Sequence, residues 1–418
     1  MSRWSRRAVL GSALALAAPG RLAAAQAPVP EPLDLRRGVS AWPWFALTRE
    51  YPAPRTDYAW PPFELDRPVP RAADLRRLRE AGFDFIRLPV DPGPFLSFAG
   101  KDHDRLMASL ARAVEAVLAA GLKLVVNIQA NAATHFWTPE RLYGDVDAPG
   151  WAAYKGFAAE VAGSLVRFDA ARVALEPVNE PPQSCPSTVW RDMQVALLDA
   201  ARLAAPALTL VAAGACGSMI AGLVEMDPAT VARFAPLLFT FHFYEPYLFS
   251  HQGAPWMREP VYRALNDVPW PGSAGTLEET LAAVRRRMAS DSETSPEAKR
   301  QAYAETERVL GVYFAAQPDR RFIEGYLAKI TAWGQRNGVP PRHILMGEFG
   351  ALRTDKTYVA SGAADRARYI HDVRSSAEAA GFPWAVWTLF GGMGLMDDDT
   401  RRLDPAMIAA LGLRMPTG

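Results

Sequence analysis

The chain has 418 residues, with 46 lysines and arginines against 45 aspartates and glutamates, so its net charge is close to zero. A near-neutral chain lacks the basic surface that would attract nucleic acid, and we expect no nucleic-acid partner. Its two cysteines are too few for a disulfide-rich scaffold or a four-cysteine zinc site. Half of the residues are hydrophobic, which indicates a globular protein with an ample core.

The N-terminal segment has the features of an export signal. Arg6 and Arg7 form the paired arginines of a Tat-type signal, and the apolar run over residues 8–18 is too short to span a bilayer of about 30 Å. A short run of alanines then offers a site for a signal peptidase. We predict a signal peptide over residues 1–25 and a Pro-rich lead-in over 26–35. The mature protein is then periplasmic or secreted, without stable membrane insertion.

Eight short apolar runs alternate with amphipathic segments along residues 36–418. The runs begin near Gly38, Asp84, Lys123, Val173, Leu208, Leu238, His343 and Trp384. Near-continuous apolar strands that alternate with helices are typical of parallel strands buried on both faces. The pattern predicts a single (β/α)8 TIM barrel of the α/β class, with a long helical insertion at about residues 250–320, after the sixth strand. An open doubly wound sheet is the alternative, but residues 38–45 lack its glycine-rich phosphate turn.

Polar side chains gather where the apolar strands end, which in a barrel is the face that carries active sites. These residues are Arg87, Gln129, Asn131, Asn179, Glu180, His242, Tyr244 and Glu348, followed by Trp387 in the eighth strand. If the strands are as predicted, these side chains meet at one mouth of the barrel. The purely structural alternative is that the two glutamates pair with buried arginines and only close the barrel.

Glu180 and Glu348 are the most informative of these residues, because a carboxylate in an apolar strand is costly unless it is paired or functional. Glycoside hydrolysis needs two carboxyl groups, one to protonate the leaving oxygen and one to attack or to activate water. Asn179 could hydrogen-bond a sugar 2-hydroxyl, and Tyr244 could hold the oxygen of the nucleophile. The scattered histidines and the lack of a G-x-S-x-G turn disfavour a zinc hydrolase and a serine hydrolase.

Several short motifs give a resemblance to a known family. They are RLPV at residues 87–90, VNEP at 178–181, HFYEP at 242–246 and GEFG at 347–350. Together they resemble glycoside hydrolase family 5, the retaining cellulase-like family of clan A, over most of residues 36–395. The resemblance implies that Glu348 is the nucleophile, Glu180 the acid/base and Trp387 a platform for a sugar ring. It also implies that Arg87 tethers Glu348 and that no metal or organic cofactor takes part.

The third strand departs from the family pattern. Members often carry Asp-x-His at its end, whereas this chain has Asn127-Ile128-Gln129. Gln129 can still hydrogen-bond a sugar hydroxyl, but it cannot change charge as histidine does. His135, six residues further on, could reach into the gap. We expect the departure to affect the substrate subsites more than the catalytic pair.

One tryptophan and two cysteines complete the predicted site. Trp42 ends the first strand and is a candidate second platform, because stacked aromatic rings bind the apolar faces of sugars. Cys185 and Cys216 follow strands four and five, which are neighbours in a barrel. They could form a disulfide in an oxidising compartment, and two free thiols are the alternative.

The leading hypothesis is a retaining endo-β-1,4-glucanase, a cellulase-like monomer that acts on soluble or nascent β-glucan. A β-mannanase, a β-1,3-glucanase or an exo-β-glucosidase of the same family would use the same carboxylates. The loops after strands one and six would decide among them. A catalytically silent polysaccharide-binding barrel is the alternative from another class, and the intact pair of glutamates argues against it.

Overall fold

The computed structural model describes residues 30–292 and 294–416, and ten strands are found there. In chain order they are β1 (Arg37–Ser40), β2 (Thr48–Glu50), β3 (Tyr58–Phe63), β4 (Phe85–Val90), β5 (Lys123–Ile128), β6 (Val173–Glu176), β7 (Thr209–Ala213), β8 (Leu237–Phe243), β9 (Ile344–Phe349) and β10 (Trp384–Val386). Every residue of β4, β8 and β9 is buried, which explains why their sequences are apolar almost throughout.

Eight of these strands close into a parallel barrel, while β2 and β3 form a separate antiparallel hairpin. The order around the barrel is β1, β10, β9, β8, β7, β6, β5 and β4, and β4 pairs back to β1. The predicted (β/α)8 barrel is therefore confirmed. An open doubly wound sheet would leave two edge strands, and the pairing of Gly38 with Phe85 removes both.

Helices connect the strands, and most of them pack their apolar faces on the outside of the barrel. They are α1 (Ala72–Ala81), α2 (Pro92–Ser97), α3 (Lys101–Ala119), α4 (Pro139–Tyr143), α5 (Trp151–Leu165), α6 (Thr188–Ala204), α7 (Ile220–Val224), α8 (Tyr247–Ser250), α9 (Pro260–Ala264), α10 (Leu277–Ser290), α11 (Pro296–Ala316), α12 (Arg320–Asn337), α13 (Ala363–Ala379) and α14 (Pro405–Ala410). Helix α1 ends at Ala81 because Gly82, in the left-handed conformation at φ 113°, caps it.

The lower half of the barrel interior is apolar and closed. One layer of inward-facing side chains fills it, formed by Phe85, Val125, Ala174, Val211, Leu238, Leu345 and Ala385. Leu33 and Leu35, from the segment before β1, pack into the same cluster, and the Leu33 N–H donates to Thr209 Oγ1 at 2.9 Å. Because apolar side chains fill this half, the polar inward-facing groups of the strands lie above it, toward the mouth.

The segment between β8 and α12 holds the predicted helical insertion, with α8 to α11. It has a small core of its own, formed by Leu265, Val268, Leu281, Val284, Leu310 and Tyr313. Arg287 in α10 donates hydrogen bonds to the backbone oxygens of Val359 and Gly253. The insertion is thereby tied to the loop that follows β9, which carries Glu348.

The predicted signal peptide and the first residues of the lead-in, up to residue 29, lie outside the described residues. Within the part of the chain that the structure describes, none of the helices combines the length and the apolar character needed to cross a membrane.

Candidate active site

A fully buried arginine organises the polar upper half of the barrel. Arg87 lies in the middle of β4 rather than at its end, and its Nε and Nη2 donate to the two oxygens of Glu176 at 2.7 and 2.9 Å. Its Nη1 donates to Glu348 Oε1 at 2.6 Å, and Nη2 also donates to Asn179 Oδ1 at 2.7 Å. Burial acts to lower the pKa of Arg87, but the charges of Glu176 and Glu348 outweigh it and raise that pKa. The guanidinium therefore stays charged.

Glu176, the last residue of β6, is a member of this network that the sequence interpretation missed. It is fully buried and forms a two-pronged ion pair with Arg87. The signal was available, because Glu176 is a carboxylate in an apolar strand, as Glu180 and Glu348 were argued to be. Its function is to fix the guanidinium plane, so that the third nitrogen of Arg87 points at Glu348.

Replacing Glu176 by glutamine is expected to lower the free energy of unfolding by about 3–5 kcal/mol, because it removes one partner of a buried ion pair. Urea denaturation followed by circular dichroism would measure the change. The matched control is Glu297→Gln, which breaks the exposed Arg300–Glu297 pair and should cost less than about 1 kcal/mol. Equal losses in the two variants would contradict the role given to Glu176.

Both oxygens of Glu348 are held by donors. Arg87 occupies Oε1, and the Tyr244 hydroxyl donates to Oε2 at 2.8 Å. Burial and the charge of Glu348 raise the pKa of Tyr244 well above its ordinary value, so its hydroxyl keeps the proton that it donates. The residue before Glu348 has to be glycine, because a Cβ on Gly347 would lie 2.5 Å from Thr240 Oγ1. Glu348 is therefore buried and held in one orientation.

Glu180 differs from Glu348 in being open to solvent. Its side chain is 43% exposed, and its backbone adopts the left-handed conformation with φ 44°. His242 Nδ1 lies 2.9 Å from Glu180 Oε1 and 3.7 Å from Glu348 Oε2. A register shift between β8 and β9 brings His242 opposite Glu348 in the barrel. The two glutamates thus face each other with His242 between them.

We expect the pKa of His242 to lie above its ordinary value of 6.5. Burial pushes the pKa of His242 down, but the charge of Glu348 and the hydrogen bond with Glu180 outweigh that effect. The stabilisation from this charged imidazole is complete below pH 6.5 and is lost as the pH rises through the folded-state pKa. An NMR titration of the imidazole protons would measure it, and Glu348→Gln should lower the value. An unchanged pKa in that variant would contradict the coupling.

The two predicted sugar platforms lie next to each other. Trp387 directly follows β10 and Trp42 lies two residues after β1, both are partly exposed, and their ring centroids are 6.4 Å apart. Because β1 and β10 are paired strands, these rings lie on the same side of the mouth. The pair forms an aromatic surface beside Glu348, whose strand pairs with β10.

The loop after β5 brings only some of its predicted residues to the site. Gln129 lies at the end of β5, partly buried, and its Oε1 has no hydrogen-bond partner among the described residues. Asn131 instead stabilises its own loop, since its Oδ1 accepts from the Ala133 N–H at 2.8 Å. The hypothesis that His135 fills the gap in the family pattern is wrong. His135 pairs with Glu50 of the β2–β3 hairpin at 3.1 Å, and its Nε2 lies 2.6 Å from the Arg55 oxygen, so both ring nitrogens are engaged outside the barrel.

A disulfide and a cavity lie near the two glutamates. The structure joins Cys185 and Cys216 in a disulfide between the loops after β6 and β7. A cavity of about 400 Å³ opens beside His242 and Tyr244 and is lined in part by Met219, Tyr247 and Tyr326. The cavity adjoins the site at His242 and Tyr244, and neither Glu180 nor Glu348 lines it.

The same side chains also meet the spacing of a metal site. Glu180, His242 and Glu348 each bring one ligand atom to within 4.8 Å of the others. However, Arg87 and Tyr244 already occupy the oxygens of Glu348, and a positive guanidinium beside it disfavours a second cation. The arrangement fits a pair of reacting carboxyl groups, one fixed and one exposed, better than a metal centre.

The sequence matches a known protein family over most of its length. Residues 56–391 match the family described as cellulase (glycosyl hydrolase family 5). Endoglucanase 3 of Fibrobacter succinogenes is 24% identical over 367 residues, which cover 82% of this chain and 49% of that protein. Cellodextrinase A of Ruminococcus flavefaciens is 24% identical over 189 residues, covering 44% of this chain and 54% of that protein. The chain spans about half the length of these curated relatives.

Solved structures share the fold at lower identity. The Clostridioides difficile cellulose synthase subunit Z (CcsZ) superimposes with a TM-score of 0.63 at 18% identity, covering 90% of this chain and 99% of that chain. Thermotoga maritima Cel5A in complex with cellobiose has a TM-score of 0.59 at 19% identity, covering 90% and 97%. With the family match spanning most of the sequence, the chain belongs to glycoside hydrolase family 5.

Proposed function

We propose that this protein is a retaining endo-β-1,4-glucanase in which Glu348 is the nucleophile and Glu180 the acid/base. The observation that carries the proposal is that the two carboxyl groups face each other across His242, with an oxygen of Glu180 and an oxygen of Glu348 within 4.8 Å of each other. Retaining enzymes hold their carboxyl groups about 5–5.5 Å apart, whereas inverting enzymes need about 6.5–9.5 Å to admit a water.

The surroundings of each carboxyl group fit its proposed role. Glu348, fixed by Arg87 and Tyr244, attacks the anomeric carbon, while the exposed Glu180 protonates the departing oxygen. Glu180 then takes the proton of the water that releases the glycosyl-enzyme, so the configuration is retained. Because Asn179 Oδ1 accepts from Arg87, its amide NH2 is left as a donor for the sugar 2-hydroxyl.

The proposed substrate is a β-1,4-glucan. The relatives are named an endoglucanase and a cellodextrinase, and one structural neighbour is a subunit of a cellulose synthase. The partly exposed Trp42 and Trp387 offer the aromatic surface that a glucan chain needs. Thermotoga maritima Cel5A has also been solved with mannotriose, so mannan is the second substrate to test.

The test is to incubate the mature protein, residues 26–418, with cellopentaose and to follow the new anomeric protons by NMR. Early release of β-anomers, absent in Glu348→Ala, is the expected result. Early release of α-anomers would overturn the double displacement. If cellopentaose is not cleaved, the same assay on mannan, β-1,3-glucan and mixed-linkage oligosaccharides separates a changed specificity from a silent polysaccharide-binding barrel.

The same proposal includes export of the folded protein to the periplasm or the medium. The paired Arg6 and Arg7 support a Tat-type route, and a disulfide between Cys185 and Cys216 suits an oxidising compartment. Replacing both arginines by lysine should leave unprocessed protein in the cytoplasm, as measured by fractionation and immunoblotting. Normal export of that variant would argue against a Tat signal.

A further inference from the structure

The Cys185–Cys216 disulfide is the feature of the site that the proposed chemistry leaves unused. Cys185 belongs to the loop between β6 and α6, which begins next to Glu180, and Cys216 belongs to the loop between β7 and α7. Their Cα atoms are 5.5 Å apart. The bond therefore cross-links two of the loops that form the mouth of the barrel.

Backbone hydrogen bonds connect the cross-linked loops to the segment next to Glu180. The Cys216 N–H donates to the Gln183 oxygen at 2.7 Å, and the Gly217 N–H donates to the oxygen of Pro181, the residue after Glu180, at 2.9 Å. Gln183 in turn donates through Nε2 to the Tyr143 oxygen at 2.5 Å. The loop carrying Glu180 is thus held from the β7 side and from the α4 side.

The cross-linked β7–α7 loop also contacts His242, which hydrogen-bonds Glu180. The His242 N–H donates to the Ser218 oxygen at 2.7 Å, two residues after Cys216. Met219 also forms a bridge to His242 in parallel register. The imidazole of His242 is the group that hydrogen-bonds Glu180, at 2.9 Å. One disulfide therefore connects the segments that position both members of the Glu180–His242 pair.

The backbone around Glu180 and Cys216 adopts conformations that depend on neighbouring contacts. Glu180, Cys216 and Ser218 all have positive φ, at 44°, 55° and 56°. A residue with a Cβ pays free energy for that conformation and keeps it only when its surroundings impose it. The Glu180 side chain is 43% exposed, with His242 as its hydrogen-bond partner, so its position depends on the backbone beneath it. Without the cross-link, only the hydrogen bonds from Cys216 and Gly217 hold the two loops together among the described residues.

We propose that the Cys185–Cys216 disulfide is a positioning element for proton transfer, which holds Glu180 and His242 where the leaving oxygen can be protonated. This inference rests on the proposed function. The proposal predicts that loss of the disulfide lowers kcat/KM most for substrates whose leaving group must be protonated. A disulfide that only stabilises the fold would affect all substrates alike.

The test compares kcat/KM of the wild type and of Cys185→Ser/Cys216→Ser on two substrates. Cellotetraose has a sugar alkoxide as its leaving group and needs the proton of Glu180, whereas 2,4-dinitrophenyl β-cellobioside has a leaving group that needs none. We expect kcat/KM to fall about tenfold or more on cellotetraose, and to stay within about twofold of the wild type on the aryl cellobioside. The parameter kcat/KM reports the step up to glycosyl-enzyme formation, so the later step does not interfere.

An equal fall on both substrates, or no fall on either, would overturn the inference. Assays are made below the melting temperature of each variant, as measured by circular dichroism. If the double variant does not fold, folded wild type treated with dithiothreitol serves instead. The reagent supplies two electrons and two protons to the disulfide and closes into its own cyclic disulfide. A wild type inactive on both substrates refutes the proposed function, and this inference with it, whereas failure of this inference alone leaves the wild type active.

Discussion

Replacing Glu348 by alanine is expected to lower kcat/KM by at least about 10⁴-fold on both cellotetraose and 2,4-dinitrophenyl β-cellobioside, because no other group can form the glycosyl-enzyme. We expect kcat/KM to fall on both substrates, since attack on the anomeric carbon is needed whatever the leaving group. The structure gives the reason for a large effect, because Arg87 and Tyr244 direct both oxygens of Glu348. Steady-state kinetics measure it.

Azide provides the decisive control for this variant. With the carboxylate removed, azide can enter the vacated space and attack the aryl cellobioside from the same face, which gives the α-glycosyl azide. The exposed Glu259, changed to alanine, serves as a matched glutamate outside the network and should leave the kinetics unchanged. A β-glycosyl azide from Glu348→Ala would show that Glu348 is not the nucleophile.

Replacing Glu180 by alanine is expected to produce a loss that depends on the leaving group. On cellotetraose, kcat/KM should fall about 10²–10⁴-fold, the usual contribution of a general acid. On the dinitrophenyl substrate, kcat/KM should stay close to the wild-type value, while kcat falls because no base activates water in the second step. His242 also loses its 2.9 Å hydrogen-bond partner in this variant.

Azide again distinguishes the roles, with the opposite stereochemical result. It attacks the accumulated glycosyl-enzyme without needing a base, so Glu180→Ala should regain kcat and form the β-glycosyl azide. Equal losses on both substrates, without rescue by azide, would contradict an acid/base role for Glu180. The pair of azide products thus tests the two assignments independently of the absolute rates.

Local patterns were enough to predict the barrel and the two glutamates. Strands buried on both faces leave near-continuous apolar runs, so the strand starts at Lys123, Val173 and Trp384 agree with the structure. Carboxylates within such runs are rare, because burial is costly, and this made Glu348 visible. Glu180 was assigned to a strand by the same reasoning, but it lies four residues beyond β6 and its side chain is 43% exposed. The same reasoning applied to every glutamate would also have identified Glu176.

Contacts between distant segments were not predictable in this way. The contact of Arg87 with Glu348 was implied by the family resemblance alone, because it depends on the register of paired strands, which local patterns do not report. Sequence spacing would have allowed His135 to reach the site, but its loop carries it to the hairpin and to Glu50. Loop conformations depend on the surfaces against which the loops pack, which sequence spacing does not report.

The sequence by itself therefore determined the fold class, the family resemblance and the residue types of the site, because periodicity and buried charge are local properties of the chain. The tertiary structure decided which groups touch: the ion pair of Glu176 with Arg87, the disulfide of Cys185 with Cys216, and the facing positions of the two glutamates. These contacts join residues far apart in sequence, and strand register and loop packing fix their distances only when the barrel closes.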